Sequence, residues 1–107
     1  MPMAINGLAK LNEECGELIQ VIGKRLAYYH TEEHPDGGPP LTERLADEIA
    51  DVMAACEFVV SLNQLDRDRI VNRCADKLRL FRQWHKDPDN NTDAIDATHR
   101  ALHRRQE

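Results

Sequence analysis

Apolar residues recur at steps of three and four along the N-terminal part of the chain, which is the spacing of one face of an α-helix. This pattern predicts a first helix from about Ile5 to Tyr29. Three glycines fall within this segment, and they either weaken the helix or allow another helix to approach closely. The apolar positions are Leu8, Leu11, Cys15, Leu18, Ile22 and Leu26.

The next segment, HTEEHPDGGPPL at residues 30–41, predicts a loop because its prolines and glycines cannot continue a helix. A second helix is expected from about Glu43 to Asn63, with Thr42 as its N-cap. Phe58 and Leu62 widen its apolar face to more than half of its circumference. A helix packed on one neighbour needs an apolar stripe of only about 100°. The wide face therefore predicts burial both within the subunit and against a second subunit. The rest of that face is Leu45, Ile49, Val52, Met53, Cys56, Val59 and Val60.

A third helix is expected to begin after a cap at Asp66 or Asp68 and to end near His85. Its apolar positions are Ile70, Val71, Cys74, Leu78 and Phe81. Pro88 then breaks the chain, and a short, weakly apolar helix is expected at about 93–104. No segment alternates as a β-strand does. The pattern predicts an all-α fold, an antiparallel helical bundle formed by one domain over residues 1–107 and completed by homo-oligomerisation.

Composition restricts the function classes. A chain of 107 residues with 41% hydrophobic and 31% charged residues is typical of one globular domain. Its formal net charge of −5 argues against general nucleic-acid binding, which depends on cationic side chains. The chain has neither an apolar run of about 18 residues nor a signal-peptide pattern, and it has no paired cysteines. We therefore expect a cytoplasmic protein without a nucleic-acid or membrane partner.

Two pairs of acidic residues stand out against this background. Glu14 and Glu17 are three residues apart on the first predicted helix, and Glu48 and Asp51 are three apart on the second. Residues at this spacing are neighbours on a helix surface. Each pair is predicted to lie beside the apolar stripe, so the two pairs converge if the stripes face each other.

Such convergence is unfavourable by itself. Two unit charges about 5 Å apart repel by roughly 3 kcal/mol at an effective dielectric constant near 20. The sequence shows no lysine or arginine one turn away between the paired acids. A divalent cation would relieve the repulsion, and Mg²⁺ prefers hard oxygen ligands together with water and substrate phosphates. The plain alternative is that these acids form a solvated helix face, because acidic pairs at this spacing are common.

The order EExxE, loop, ExxD resembles the MazG family of all-α nucleoside triphosphate pyrophosphohydrolases. The resemblance covers about Leu8 to Trp84. Leu18 after EECGE and the segment DEIADV also resemble the family pattern. The third helix departs from it, since the expected asparagine is missing or shifted, and Asn72 and Asp76 are only rough equivalents.

The resemblance implies hydrolysis of an NTP or dNTP to the monophosphate and pyrophosphate by a dimer or tetramer. It implies that the two acid pairs hold Mg²⁺, with Mn²⁺ as an alternative ion. Glu13 is then a general base, an outer residue of the site or plain surface. Lys77 is implied as the main phosphate-binding and catalytic cation, with Arg82 as a second phosphate ligand. The implied metal ligands are Glu14, Glu17, Glu48 and Asp51.

Two other functions fit the same residues. A non-enzymatic helical interaction or regulatory module would pair these acids with cations of a partner. An enzyme of the same superfamily could act on a different diphosphate-containing metabolite. No motif in the sequence indicates which base or sugar is preferred.

Overall fold

A computed structural model describes residues 4–86, which form three α-helices and no strand. Helix α1 is Leu8–Ala27, α2 is Leu41–Asn63 and α3 is Arg67–Lys86. The prediction of an all-α fold is confirmed over this range, and the expected fourth helix lies outside the described residues. The chain divides after Leu65 into two units, the α1–α2 hairpin and the part that contains α3. Within residues 4–86, no helix has both the length and the apolar character needed to cross a membrane.

Helices α1 and α2 pack side by side and run antiparallel. At one end of the hairpin, the backbone N–H of Asn6 donates to Asn63 at 2.8 Å, and the Asn63 amide donates back to the Asn6 carbonyl at 2.8 Å. At the other end, Arg25 donates to the Thr42 hydroxyl at 3.4 Å. The hairpin core is thin, because two helices offer only one shared seam. Its buried apolar side chains are Val21, Leu41, Ala55 and Val59.

Helix α1 begins at Leu8, so the prediction of a start near Ile5 is wrong by almost one turn. Gly7 has a φ of +85°, in the left-handed region where side chains other than glycine are strained. A Cβ at Gly7 would lie 3.1 Å from the Phe58 ring and 3.3 Å from Val59. Gly7 therefore marks the start of α1 and lets the chain pass close to α2.

Helix α2 begins at Leu41, and the residue before it is Pro40. The prediction of Thr42 as N-cap is wrong, because Thr42 lies inside the first turn. Its backbone N–H donates to the Glu32 carboxylate at 2.8 Å, and its hydroxyl donates to the same carboxylate at 2.7 Å. The loop thus adds to the negative charge that the start of a helix favours, which Glu43 in the first turn also supplies.

Asp36 fastens the loop at residues 28–40 to both helices. Its carboxylate accepts hydrogen bonds from Lys24 of α1 at 2.8 Å and from Arg44 of α2 at 2.9 and 3.2 Å. The His34 ring lies 2.9 Å from the same carboxylate and packs edge-on against Tyr28 with ring centres 4.7 Å apart. This cluster closes the hairpin at its loop end.

Helix α3 begins after Asp66, whose carboxylate accepts a hydrogen bond from the Arg69 backbone N–H at 3.0 Å. Of the two predicted caps, Asp66 is the one whose contact is seen here. The helix reaches Lys86, the last described residue, and so includes the predicted end near His85. Its larger apolar side chains are exposed on this unit: Ile70, Val71, Leu78, Leu80, Phe81 and Trp84.

The dependence of the melting temperature on pH tests the role of Asp36. Hydrogen bonds from Arg44, then from Lys24 and His34, hold the pKa of Asp36 well below its usual range. An acid with a lowered pKa adds stability above its unfolded-state pKa, and this stability disappears as the pH falls through the folded-state pKa. We expect Asp36→Asn to lower the melting temperature at pH 7. The deficit should shrink as the pH is lowered below about 4.

The matched control is Glu33→Gln, which removes one exposed negative charge from the same loop. It should change the melting temperature much less at pH 7. Equal effects of the two variants in a pH series of thermal unfolding would contradict the assigned role of Asp36.

Candidate metal centre

Glu14 and Glu48 lie on the seam between α1 and α2. On α1, Glu14 follows Leu11 by three residues and precedes Leu18 by four, and all three side chains are partly buried. The seam of α2 repeats this spacing at Leu45, Glu48 and Val52. The prediction that both acid pairs lie beside the stripe is therefore only half right. One acid of each pair occupies a position that would ordinarily be filled by an apolar residue.

The structure brings the four predicted metal ligands together. One carboxylate oxygen of each residue lies within 4.8 Å of the others. We call this cluster the acid quartet: Glu14, Glu17, Glu48 and Asp51. Glu14 and Glu48 come from the seam and are partly buried, whereas Glu17 and Asp51 lie at its exposed rim.

Two oxygens of the quartet lack partners. Oε2 of Glu14 and Oε2 of Glu48 are shielded from solvent and have no hydrogen-bond partner among the described residues. A buried polar atom without a partner destabilises the fold, because it has lost its hydrogen bonds to water and makes none to the protein. These two oxygens are the strongest structural indication that the cluster could bind a cation.

The protonation behaviour of the quartet follows from this placement. Burial raises the pKa of Glu14, and the negative charges of Glu17 and Asp51 raise it further. Burial likewise raises the pKa of Glu48, and the same two charges add to the effect. The folded chain therefore resists full ionisation of its own cluster. A bound cation would reverse that tendency.

The donor set fits a hard divalent cation. All four groups are carboxylates, which suit Mg²⁺, Mn²⁺ and Ca²⁺ better than they suit soft metals. Two seam oxygens without partners and two rim oxygens open to solvent leave room for water or phosphate to complete the shell. Mg²⁺ or Mn²⁺ would be held by the acid quartet.

Glu13 and Lys10 lie next to the quartet. The Lys10 ammonium contacts the Glu13 carboxylate at 2.9 Å and lies 4.0 Å from Oε1 of Glu14. The sequence argument found no cation between the paired acids and overlooked this lysine, which precedes Glu14 by one helical turn. Glu13 lies outside the quartet, with 54% of its side chain exposed.

The two cations expected to bind phosphate, Lys77 and Arg82, lie on α3. They are five positions apart in the sequence, which places them about 140° apart around the helix. Lys77 shares a shallow groove with Arg69 and Arg73, whereas Arg82 lines a different groove. Their roles in substrate binding stay predictions.

Sequence reasoning passed over Arg69 and Arg73, although their spacing places them on the same side of α3 as Lys77. Together with Lys77 they recur every four residues, and the structure places all three along one side of α3. Like charges at this spacing destabilise a helix slightly. The groove that they line also contains Asp76, so three cationic side chains and one carboxylate face it.

The chain matches no protein-family model, no curated protein and no solved structure. The resemblance to the MazG family therefore depends on the residues named above and stays a hypothesis.

Substitution of the buried carboxylate tests whether the quartet is a metal centre. We expect Glu48→Gln to keep or raise the melting temperature without metal, because it removes one of several repelling charges. It should reduce the Mg²⁺-induced rise in melting temperature, since ligand stabilisation follows affinity for the folded state. Metal affinity should fall by about 100-fold or more, because the loss of even an outer partner costs about 10- to 100-fold.

The same variant has a defined dependence on pH without metal. An acid whose pKa is raised by folding contributes stability below its unfolded-state pKa and loses that contribution as the pH rises through its folded-state pKa. Any advantage of Glu48→Gln should therefore be present at neutral pH and disappear in acid, where Glu48 is protonated. Glu43→Gln, in the exposed first turn of α2, is the control and should keep the metal response. A metal centre would be ruled out if Glu48→Gln were destabilised and neither the wild type nor the variant responded to metal.

Proposed function

We propose that the chain is a Mg²⁺-dependent nucleoside triphosphate pyrophosphohydrolase. One observation supports this proposal above the others: four carboxylates from two helices converge within 4.8 Å, and two of them present shielded oxygens without partners. The resemblance to the MazG family gives the reaction class. The products are a nucleoside monophosphate and pyrophosphate.

The proposed role of each residue follows from its position. Glu14 and Glu48 are held by the packed seam, so their carboxylates provide the rigid part of the metal site. Glu17 and Asp51 stand at the solvent side, where a phosphate chain can reach the site. When bound, Mg²⁺ supplies positive charge to phosphate oxygens and lowers the pKa of an attacking water. Lys77 is proposed as the main cation that holds phosphate oxygens.

Glu13 has a less direct role in this scheme. Its carboxylate is engaged by Lys10 at 2.9 Å, and it lies on the exposed flank of α1. A general base must come within hydrogen-bonding reach of the water that it activates, directly or through another water. Glu13 meets this requirement only after it leaves Lys10, so we assign it as an outer residue of the site.

The reaction products test the proposal. The chain contains no GxxxxGK[ST] loop of the kind that cradles phosphates in kinases and ATPases. We expect hydrolysis between the α and β phosphates, with pyrophosphate as the second product. A panel of NTPs and dNTPs with Mg²⁺, separated by chromatography, measures both nucleotide and phosphate products.

Glu48→Gln supplies the inactive control for this panel, and Glu43→Gln supplies the active one. Formation of a nucleoside diphosphate and orthophosphate would contradict the proposed cleavage. Absence of turnover for every nucleotide, in a protein that still binds Mg²⁺, would favour the alternative enzyme acting on another diphosphate metabolite. Absence of both turnover and Mg²⁺ binding would favour the interaction module.

We also propose that the chain is a homo-oligomer. The hairpin leaves large apolar side chains in solvent, including Ile19 at 68% exposure and Met53 at 67%. Met53 and its neighbour Ile49 lie about 160° around α2 from Asp51. This apolar flank is therefore separate from the exposed rim of the quartet, and a second subunit could cover it without closing the site.

Light scattering at micromolar concentration tests the assembly. We expect a mass of at least a dimer for the wild type. Met53→Glu should weaken association by about tenfold or more, because it buries an unpaired charge in an apolar contact. Ala54→Glu adds the same charge on the polar side of α2 and should leave the mass unchanged. A monomeric wild type would refute the proposal.

A further inference from the structure

Lys10 occupies a special place beside the acid quartet. In the described part of the chain, it is the one lysine or arginine whose side-chain nitrogen lies within 4.0 Å of a quartet carboxylate. It contacts Glu13 more closely, at 2.9 Å. The two carboxylates that it approaches thus differ in kind: Glu14 belongs to the quartet, and Glu13 does not.

We propose that Lys10 is a built-in counter-ion that competes with a divalent cation for Glu14, and that Glu13 sets the strength of this competition. The inference depends on the metal site of the proposed function and adds a means of regulating that site. Lys10 acts through Glu14, and it is therefore a positioning residue.

The competition follows from the chemistry of lysine. Its ammonium is a compact charge on a flexible stem with three hydrogen-bond donors, so it can move between neighbouring carboxylates. With 55% of its side chain exposed, Lys10 can turn without disturbing a packed core. The hydrogen bond and the charge of Glu13, followed by the charges of Glu14 and Glu17, raise the pKa of Lys10. Lys10 therefore remains an ammonium across the neutral range.

The positions of the two acids determine the direction of each effect. Without metal, the ammonium partly neutralises Glu14, which is the seam acid crowded by Glu17 and Asp51. A divalent cation bound at Glu14 repels the ammonium. The work of moving Lys10 away lowers the net affinity of the site for the cation. Glu13 reduces that cost because it already holds the ammonium at 2.9 Å, whereas Oε1 of Glu14 lies 4.0 Å from it. Loss of Glu13 would let Lys10 pair more closely with Glu14.

The test measures Mg²⁺ affinity by calorimetry and metal-free melting temperature by calorimetric scanning. Lys10→Met should bind Mg²⁺ about two- to fivefold more tightly, the scale expected for an exposed charge pair. Its metal-free melting temperature should fall, because the quartet has lost its counter-ion. Glu13→Gln should bind Mg²⁺ about two- to fivefold more weakly. The double variant should behave like Lys10→Met, since Glu13 acts through Lys10.

Three comparisons separate this inference from a merely structural role. Lys10→Arg keeps the charge and should restore the wild-type melting temperature and most of the wild-type affinity. Lys24→Met removes another paired lysine of α1, whose partner is Asp36; it should lower the melting temperature and leave Mg²⁺ affinity unchanged. High salt should erase the difference between Lys10→Met and the wild type, because it screens exposed charges.

Each outcome is informative. Tighter Mg²⁺ binding by Lys10→Met and weaker binding by Glu13→Gln would support the inference. Unchanged or weaker binding by Lys10→Met, in a wild type that binds Mg²⁺, would overturn the inference and leave the proposed function intact. A wild type that binds no divalent cation would overturn both.

Discussion

Two carboxylates in the seam of a two-helix hairpin are the constraint on which the rest of this structure depends. Glu14 and Glu48 occupy positions that α1 and α2 otherwise fill with partly buried apolar side chains. Apolar residues there would strengthen the packing of a hairpin whose buried core is very small. The seam instead holds two shielded oxygens without partners. The chain thus gives up stability at the place where its chemistry is proposed to occur.

This arrangement requires an accurate register between the two helices. A shift of one residue along either helix would rotate its seam by about 100° and separate the two carboxylates. Contacts at both ends prevent such a shift: the Asn6–Asn63 pair at one end and the Asp36 cluster at the other. The loop therefore stabilises the hairpin that carries the quartet, although it supplies no member of the quartet. Its ion pairs keep the middle of each helix in the correct position.

The thin core has a second consequence. An isolated helix pair has no way to bury more than one stripe of each helix, so the flank that carries Ile49 and Met53 stays in solvent. Burial of that flank by another copy would add apolar contact without competing for the acid side. Stability and chemistry would then be provided by different faces of the same helix. This division agrees with a helix that is apolar over more than half of its surface.

The sequence alone was sufficient for the helical class, for a loop that ends one residue earlier than predicted, and for the convergence of the four acids. These features are local: prolines and glycines interrupt helices wherever they occur, and a three-residue step brings side chains together on any helix. The boundaries were less accurate. Helix α1 begins after Gly7, where a positive φ and the lack of room for a Cβ beside Phe58 favour glycine. Glu32 caps α2 from ten positions before Thr42.

Tertiary structure decided which acids are shielded and which are open. A helical wheel places Glu14 and Glu17 near the same apolar stripe, but only the partner helix determines which of the two enters the seam. Lys10 was overlooked for a different reason: it precedes the first acid pair and does not lie between the acids, although its spacing of four residues from Glu14 is visible in the sequence. Composition and spacing thus determined the chemistry that this chain can offer. The packing of α1 on α2 determined which two carboxylates lose their water, because burial depends on the facing helix.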